Sequence, residues 1–349
     1  MSQRDITPIS ERTARPLPPD ERIAECVERY DPSRPPAEGG EWPEKGSVPV
    51  TLLVPVLNEQ RNLPGCLRRM QWASELTVID SDASTDLTVP IAQAFGAKVY
   101  RFQYDRERGW PKKRNWSLDN VPWENEWILI LDADEYMTPE LAWEIKAAVE
   151  GTWTPQGKPA EVGTGDAYWI NRKFMFMGRW IKGCGYYPSW NIRLFKHWAG
   201  RYERLDQLGD TGSGDNEVHE HIVLKQGKAG FLKHDFLHYA YPDLTVWVEK
   251  HNRYSTWEAL SELNDAKGEI KPKLFGKPVE RRRWFKKYSR NLPMRPSLRF
   301  LYSYVLQKGF LDGYPGFMMC RLLGWYELIS IAKREDIKIK EKIGDQMPD

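Results

Sequence analysis

Residues 127–137 read WILILDADEYM, a short apolar run followed at once by acidic side chains. The run 128–131 is uninterrupted aliphatic sequence, which is typical of a central parallel strand covered on both faces. Ligands of open α/β sheets bind beyond the carboxyl ends of such strands, and this strand delivers Asp132, Asp134 and Glu135 there. The stretch therefore predicts a buried strand with a site at its end.

Asp132 and Asp134 are two residues apart, so on an extended segment their side chains point the same way. Mg²⁺ and Mn²⁺ prefer oxygen ligands and commonly share them with substrate phosphates. The pair is therefore a candidate platform for a metal–diphosphate group. A strand-end turn with solvated acids is the alternative, and a D-x-D pair alone does not exclude it.

Composition limits the class of protein. The chain has 349 residues, 41% hydrophobic and 29% charged, which is ordinary for a soluble globular protein of one or two domains. A net charge of +2 gives no global argument for nucleic-acid binding. The four cysteines are far apart, which argues against a disulfide framework or a zinc knuckle and favours a reducing cytosol. Neither a signal peptide nor a membrane-spanning helix is indicated.

Strand and helix patterns alternate from Val48 onward, which predicts a parallel sheet built from right-handed crossovers. We expect strands at 48–56, 75–82, 97–102 and 127–132, and helices near 63–70, from a Ser84 cap to Ala94, and at 139–149. The expected domains are a flexible extension (1–46), a catalytic α/β domain (47–240) and a helical basic region (241–349).

No glycine-rich phosphate loop of the dinucleotide-binding or P-loop type occurs in the chain. The sequence GWPKKRN (109–115) opens a predicted helix just before the acidic strand. Its cations Lys112, Lys113 and Arg114 could neutralise a diphosphate, although an isolated basic run is more often a solvated helix start.

Four motifs in order carry a family resemblance: PVLNE (55–59), VIDSDASTD (78–86), GWPKKRN (109–115) and LDADE (131–135). Together they resemble the nucleotide-diphospho-sugar domain of family 2 glycosyltransferases, which has the GT-A fold. The resemblance covers about residues 48–240. The later stretch 300–332, with KGFLDGYPGF, resembles the tail of bacterial lipopolysaccharide-core glycosyltransferases of that family.

The resemblance implies a fold and a set of roles. The fold would be α/β, of the GT-A type, with a mostly parallel central sheet and a C-terminal helical extension. Asp134 would bind Mg²⁺ or Mn²⁺, and Asp132 would lie on the sugar or metal side. The other substrate-binding candidates are Pro55, Asn58, Glu59, Asp80, Asp82, Lys113, Arg114, Trp190 and Arg193.

The second half of the chain should supply the acceptor site and the catalytic base. Residues 167–205 are predicted to be β-rich, and Trp180, Tyr186, Tyr187 and Trp190 lie among glycines, so they are candidates for an acceptor groove. Inverting transfer needs a carboxylate on the face opposite the leaving group. Glu220 is the first candidate for this base, followed by Glu217 and Asp215, all in the loop 209–221.

The histidines allow two interpretations. His219 and His221 could form a zinc site with His234 or His238, but the acid-rich loop without cysteine disfavours it. His238 could instead add a ligand to the Asp134 metal, as other GT-A enzymes recruit, or be a core histidine.

Residues 271–299 contain eleven Lys or Arg and one acid, interleaved with aromatic side chains. This pattern favours an anionic membrane surface as partner over RNA, since no RNA-binding motif accompanies it. Residues 297–334 predict two apolar helices broken around 309–316, suited to lying on a membrane or packing on the catalytic domain.

The expected function is a metal-dependent inverting glycosyltransferase on the cytoplasmic face of the membrane. It would use a nucleotide-diphosphate sugar, with a UDP-sugar favoured, and a glycan or lipid-linked acceptor such as lipopolysaccharide core. Two alternatives remain, a non-catalytic sugar- or nucleotide-binding protein and a nucleotidyltransferase.

Overall fold

The computed structural model describes residues 41–105, 111–151, 165–203, 221–263, 271–275, 280–281, 284, 287–288 and 292–343. The strands are β1 (Val48–Val56), β2 (Ala73–Ser81), β3 (Lys98–Phe102), β4 (Trp127–Ile130), β5 (Glu135–Tyr136), β6 (Ala167–Phe176), β7 (Arg179–Trp180), β8 (Asn191–Lys196), β9 (Gly200–Tyr202), β10 (Ile222–Leu224) and β11 (Ala229–His238). The α-helices are α1 (Leu63–Arg68), α2 (Thr88–Ala94), α3 (Lys113–Asn120), α4 (Pro139–Glu150), α5 (Leu244–Leu263), α6 (Arg295–Leu301) and α7 (Gly313–Ile343).

One large sheet organises the described residues, with strand order β3-β2-β1-β4-β8-β6-β11-β5 and β7 paired to β6. The first four strands of this order are parallel to one another. Strand β8 then runs antiparallel to β4 and β6, while β11 is again parallel to β6. The predicted α/β architecture with its mostly parallel sheet is confirmed.

Strand β1 lies in the middle of the parallel half, and its sequence VPVTLLVPV is buried on both faces. Leu52 and Val54 pack into the core on one face of the sheet, while Leu53 packs into the core on the other. In β4, Leu129 faces the first core and its neighbours face the second. This alternation explains why both strands are continuous apolar runs.

Helix α4 is specified by local sequence at both ends. Thr138 caps it by accepting a hydrogen bond from the Leu141 amide at 3.4 Å, and Pro139 occupies the first turn. Gly151 ends it in the left-handed conformation, with φ of 67°. The helix predicted at 139–149 is therefore confirmed.

The predicted Ser84 cap is wrong. Helix α2 begins at Thr88, and the carboxylate of Asp86 accepts the Thr88 amide at 2.9 Å. Ser84 instead belongs to a turn closed by its amide on Ser81, and its hydroxyl accepts the Asn58 amide at 3.2 Å. The Ser84 hydroxyl therefore bonds to Asn58 in a distant loop and not to the first turn of helix α2.

The C-terminal helices pack on the far half of the sheet. Trp247 of α5 and Met319 of α7 are fully buried in a core that also contains Phe174 of β6. The predicted break between two apolar helices is confirmed. Helix α6 passes through a π-helical turn (Tyr302–Leu306) and a 3-10 turn (Gly309–Asp312) into α7.

Two cysteines that are 136 residues apart meet in this packing. The sulfurs of Cys184 and Cys320 lie 3.1 Å apart, and both are buried free thiols. Gly309 packs against them so closely that a Cβ there would lie 2.8 Å from the Cys184 sulfur. The 183–185 loop and α7 are therefore in tight contact.

Among the described residues, none of the helices combines the length and the apolar composition that crossing a membrane requires.

A buried ion-pair network joins the three C-terminal helices. Arg295 of α6 contacts Glu262 of α5 at 2.8 Å and Glu327 of α7 at 2.6 Å. Arg334 also contacts Glu262 at 2.8 Å. The Arg295 side chain is only 7% exposed, so removing it leaves carboxylates buried without their full complement of partners.

We expect Arg295→Met to lower the free energy of unfolding by about 3 kcal/mol, because uncompensated buried charge is costly. The measurement is urea unfolding. Lys340→Met, which removes an exposed pair with Asp336, is the control and should change stability by less than about 1 kcal/mol. Equal effects of the two substitutions would show that the buried network does not hold the helices together.

Candidate active site

A cavity of about 570 Å³ opens beyond the carboxyl ends of β1 and β4. One wall comes from the parallel half of the sheet, including Pro55, Glu59 and Lys113. The opposite wall comes from β6, from the loop between β7 and β8, which contains Tyr186, and from the C-terminal helices, which contain Tyr254. The cavity therefore lies where an open α/β sheet is expected to bind a ligand.

Asp132 to Glu135 form a tight turn between β4 and β5, closed by the Glu135 amide on the Asp132 carbonyl at 2.9 Å. The expectation that Asp132 and Asp134 share one direction on an extended strand is therefore wrong. The turn reorients the chain, so the two carboxylates meet different cations. Both still line the same cavity.

Asp132 is held by two arginines. Its carboxylate contacts Arg114 of α3 and, at 3.1 Å, Arg193 of β8. Arg193 also contacts the fully buried Glu135 at 2.5 Å. Burial alone would raise the pKa of Asp132, but the two guanidinium groups outweigh it and hold that pKa well below its usual range. Asp132 is thus an ionised anchor for the arginines.

Asp134 has looser partners. His238 Nε2 lies 3.5 Å from its Oδ1, and Lys250 Nζ lies 3.7 Å from its Oδ2. Both distances exceed the roughly 2.7–2.9 Å of a charge-assisted hydrogen bond. Burial opposes ionisation of Asp134, but His238 and Lys250 outweigh it and lower its pKa to about 2. The carboxylate is therefore charged and not tightly paired.

Asp134 and His238 fit a divalent cation as a partial ligand set. Nδ1 of His238 is buried without a hydrogen-bond partner, and the imidazole otherwise packs edge to face on Phe174. Mg²⁺ usually binds through one or two carboxylates and completes its coordination with water and substrate phosphates. Within the described ranges, no group of three or more His, Cys, Asp or Glu side chains has metal-ligand geometry.

Glu59 enters the cavity from the loop after β1. Asn62 donates a hydrogen bond to its carboxylate at 2.8 Å. Burial, reinforced by the nearby charge of Asp134, raises the pKa of Glu59 to about 7. Near neutral pH this side chain can therefore be either an acceptor or a donor of a hydrogen bond.

Lys113 and Arg114 stand at the start of α3, as the basic motif predicted. Lys113 is almost fully buried, and its Nζ donates to the Val56 carbonyl at the end of β1, 2.7 Å away. Arg114 lies over the Tyr202 ring while it contacts Asp132. Both residues line the cavity. Lys112 precedes the helix and is not among the lining residues.

Three donor-side candidates lie outside the cavity lining. Asn58 adopts a left-handed φ of 56°. Its side-chain oxygen accepts a hydrogen bond from the Thr85 amide at 2.8 Å, which joins the loop after β1 to the loop after β2. Asp80, at the end of β2, is fully buried and neither of its oxygens accepts a hydrogen bond of good geometry from the described residues. Burial raises its pKa, although Ser84 and Arg101 oppose the shift. Asp82 is exposed.

The four aromatic acceptor candidates have separate environments. Tyr186 stacks on Phe174 with ring centroids 4.3 Å apart and lines the cavity. Trp180, Tyr187 and Trp190 are not among the lining residues. Trp180 and Tyr187 contact each other edge to face, and Trp190 contacts Phe231 in the same way.

The base candidates Asp215, Glu217 and Glu220, and also His219, lie outside the described residues. Among the described residues near the two ends of this segment, Tyr202 and His221 line the cavity. Of the other histidines in the zinc hypothesis, His234 pairs with Glu144 at 2.9 Å, whereas His221 and His238 line the cavity.

Several cavity residues were missed in the sequence. Arg172 of β6 lies 3.7 Å from Glu135, and Lys250 of α5 faces Asp134. Arg253 and Arg299 also line the cavity. No motif marked Arg172, Lys250 or Arg253 as a site residue, and Arg299 was noted only as part of the basic run 271–299.

One segment of the chain is similar to a known enzyme family. Residues 51–182 match the profile of glycosyl transferase family 2. This part of the chain therefore resembles a family 2 glycosyltransferase domain. The family and the GT-A fold implied by the four motifs are thereby confirmed, and the matched range contains the β1 loop, the basic helix start and the β4–β5 turn.

Related proteins extend the similarity beyond that domain. The lipopolysaccharide core biosynthesis glycosyltransferase LpsC of Rhizobium meliloti is 24% identical over 315 residues, which cover 86% of this chain and 98% of LpsC. An uncharacterized glycosyltransferase of Rickettsia bellii is 24% identical over 270 residues, covering 77% of this chain and 79% of the relative. The predicted resemblance to lipopolysaccharide-core enzymes is confirmed.

Solved structures show more distant similarity. S. aureus TarS 1-349 in complex with UDP is 14% identical, with coverage of 86% of this chain and 93% of TarS and a TM-score of 0.38. The mannosyltransferase PcManGT from Pyrobaculum calidifontis, in complex with GDP-Man and Mn²⁺, is 14% identical, with coverage of 91% and 94% and a TM-score of 0.42.

The titration of Glu59 gives a test of the site electrostatics. Its native pKa of about 7 lies above the ordinary 4.5, so its contribution to stability is complete below pH 4.5 and is lost as pH rises through 7. In metal-free protein, the stability of Glu59→Gln relative to wild type should therefore increase between pH 4.5 and about pH 8. Urea unfolding across this range measures the difference.

The exposed Glu341→Gln is the matched control for the Glu59 measurement. It should show little change relative to wild type over the same pH range. A pH-independent difference between wild type and Glu59→Gln would contradict the raised pKa.

Proposed function

We propose that this protein is an inverting glycosyltransferase that moves a sugar from a nucleotide-diphosphate donor to a glycan or lipid-linked acceptor. The observation that carries the proposal is the β4–β5 turn, which places an ionised, loosely paired Asp134 in a cavity with several cations. Such a site suits a metal–diphosphate group better than it suits a neutral ligand. The family 2 domain supports the same chemistry.

The charge balance of the site supports a divalent cofactor, Mg²⁺ or Mn²⁺. Asp132 and Glu135 both form ion pairs with Arg193, and Asp132 also forms one with Arg114. The charges of Arg114 and Arg193 are therefore largely neutralised before a diphosphate enters the cavity. When bound at Asp134 and His238, the metal would offset the charge that develops on the leaving diphosphate.

The protein residues have separable tasks in this scheme. Lys113 and Arg114, at the start of α3, are placed to contact the diphosphate, and Asp132 keeps Arg114 and Arg193 oriented. Pro55 and Glu59 would line the nucleotide side of the cavity. Asp80 has a buried carboxylate 3.8 Å from Arg101, on the strand next to Val56, and it would receive donor groups from the nucleobase or ribose.

The acceptor would enter from the wall formed by Tyr186, Tyr254 and Trp257, because aromatic faces suit stacking on sugar rings. Its hydroxyl must lose a proton to a base on the face opposite the leaving group. We retain Glu220 as the first candidate for this base, followed by Glu217 and Asp215. The similarity to LpsC supports lipopolysaccharide core as the class of acceptor.

We further propose that the enzyme acts at the inner face of the membrane, where a lipid-linked acceptor is presented. The basic sequence 271–299 supports this location.

The decisive experiment is a donor screen that measures nucleotide diphosphate release with each common nucleotide sugar, with chelator and with added Mn²⁺ or Mg²⁺. Metal-restored release with one donor, with transfer to an acceptor, supports the proposal. Binding of nucleotide sugar without release would instead identify a non-catalytic binding protein. Pyrophosphate release from a nucleoside triphosphate would identify a nucleotidyltransferase.

Asp134→Asn should reduce kcat/KM by about 10²–10³-fold or more, because electrostatic stabilisation at the leaving group is lost. It should also weaken Mn²⁺ binding measured by calorimetry. Asp119→Asn, which alters an exposed pair with Arg201, is the control and should change neither quantity. Full activity of wild type in chelator would overturn the metal assignment.

Glu220→Gln should lower kcat by roughly 10²–10⁴-fold while the affinity for the donor stays unchanged, as expected for a general base. Steady-state kinetics and donor titration separate the two quantities. If Glu220→Gln keeps normal kcat and Glu217→Gln or Asp215→Asn loses it, the role of base belongs to that neighbour.

A further inference from the structure

A continuous stretch of 20 residues at the junction of α6 and α7 carries an unusual density of exposed apolar side chains. We call it the elbow surface, and it consists of Leu298, Leu301, Tyr302, Val305, Leu306, Phe310, Leu311, Tyr314 and Phe317. Leu306 is 72% exposed, Leu311 is 61% exposed and Tyr314 is 64% exposed. Soluble proteins rarely leave such a concentration of apolar surface without a partner.

The backbone under the elbow surface is firmly anchored, so the exposure is not that of a loose loop. Asp312 accepts the amides of Lys182 and Gly183 at 3.2 Å and 2.6 Å. The Cys184 amide donates to the Gln307 carbonyl at 3.0 Å. Gly309 packs against the Cys184 and Cys320 sulfurs. The fold thus buries the back of the elbow and presents its apolar side chains outward.

Charge distinguishes between the partners that could cover this surface. In residues 292–326 the only acid is Asp312, which is 3% exposed and used internally. Lys308 and Arg321 are exposed beside the apolar side chains. A second copy meeting this surface about a two-fold axis would bring like charges together. An anionic lipid surface would meet both the apolar and the cationic groups favourably.

We propose that the elbow surface inserts into the interface of an anionic bilayer. Leu306, Leu311 and their neighbours would enter the acyl boundary, while Lys308 and Arg321 would contact lipid headgroups. Tyr302 and Tyr314 would lie at headgroup level, where tyrosine is enriched in membrane proteins.

The placement of the elbow also connects it to the active site. Leu298 and Leu301 are on α6, and Arg299 on the same helix lines the cavity. Insertion of the elbow would therefore bring the α6 wall of the cavity to the membrane surface. This last step rests on the proposed function, since it lets a lipid-linked acceptor reach the cavity without leaving the bilayer.

The apolar mode of binding differs from attraction to the basic run 271–299 alone. At about 1 M salt the Debye length is about 3 Å, so binding through exposed charges is largely screened. Binding through inserted leucines is not reduced by salt, because burial of apolar surface does not depend on screening. Membrane binding should therefore persist in part at high salt.

The test uses the full chain and vesicles of phosphatidylcholine with and without phosphatidylglycerol. Leu306→Ser combined with Leu311→Ser should weaken partitioning onto anionic vesicles by about tenfold or more and abolish the salt-resistant fraction. Nucleotide diphosphate release with a soluble acceptor should be unchanged, which separates failure of this proposal from failure of the proposed function.

Leu244→Ser combined with Ile339→Ser is the matched control, since these residues are 50% and 51% exposed. Ile339 lies on the same helix as Tyr314 but about 38 Å further along it. The control should bind vesicles as wild type does. Equal loss of vesicle binding in both double variants, or no loss in the elbow variant, would overturn the proposal. It would also be overturned if the wild-type protein formed a dimer without lipid and the elbow variant were a monomer.

Discussion

The ion pairs of Arg193 are the interaction on which the site depends. This side chain crosses from β8 to the β4–β5 turn and contacts both Asp132 and the fully buried Glu135. Glu135 in turn accepts the Asp132 amide at 3.0 Å. Buried carboxylates in such a turn are tolerated only with well-placed cations, because desolvation of unpaired charge is costly. Strand β8 therefore stabilises the turn as well as the sheet.

This arrangement gives the acidic side chains two different environments. Asp132 and Glu135 contact arginines at 3.1 Å and 2.5 Å, whereas the cationic partners of Asp134 lie 3.5 Å and 3.7 Å away. Because no cationic side chain lies closer than 3.5 Å to the Asp134 carboxylate among the described residues, a metal ion can bind there without first breaking a strong ion pair. Lys250, from α5, belongs to this balance, so the C-terminal helices contribute to the electrostatics of the site.

The C-terminal helices also complete the cavity. Their own ion-pair network around Arg295 and their contact with the 183–185 loop attach them to the catalytic sheet. A wall built in this way can present aromatic and cationic groups to an acceptor while its outer face meets another partner. Under the two proposals above, the inner surface of these three helices would contact the acceptor and their outer surface would contact the membrane.

The amino-acid sequence by itself determined the parallel strands, helix α4, the broken C-terminal helices and the resemblance to family 2 glycosyltransferases, because these depend on local hydrophobic runs, caps and short motifs. The sequence also placed Glu59, Lys113, Arg114, Asp132, Asp134, Arg193 and His238 among the candidates, and all of them line the cavity. Only the tertiary structure decided their partners. Arg193 and Asp132 are 61 residues apart, and Lys250 and Asp134 are 116 apart.

The same reason explains the errors. Ser84 has the composition of a helix cap, but a distant loop occupies its hydroxyl. Asp132 and Asp134 have the spacing of a shared face, but a turn closed by a backbone hydrogen bond separates their directions. Local sequence specifies which conformations a segment prefers, whereas the pairing of buried charges depends on which distant strands and helices the fold brings together.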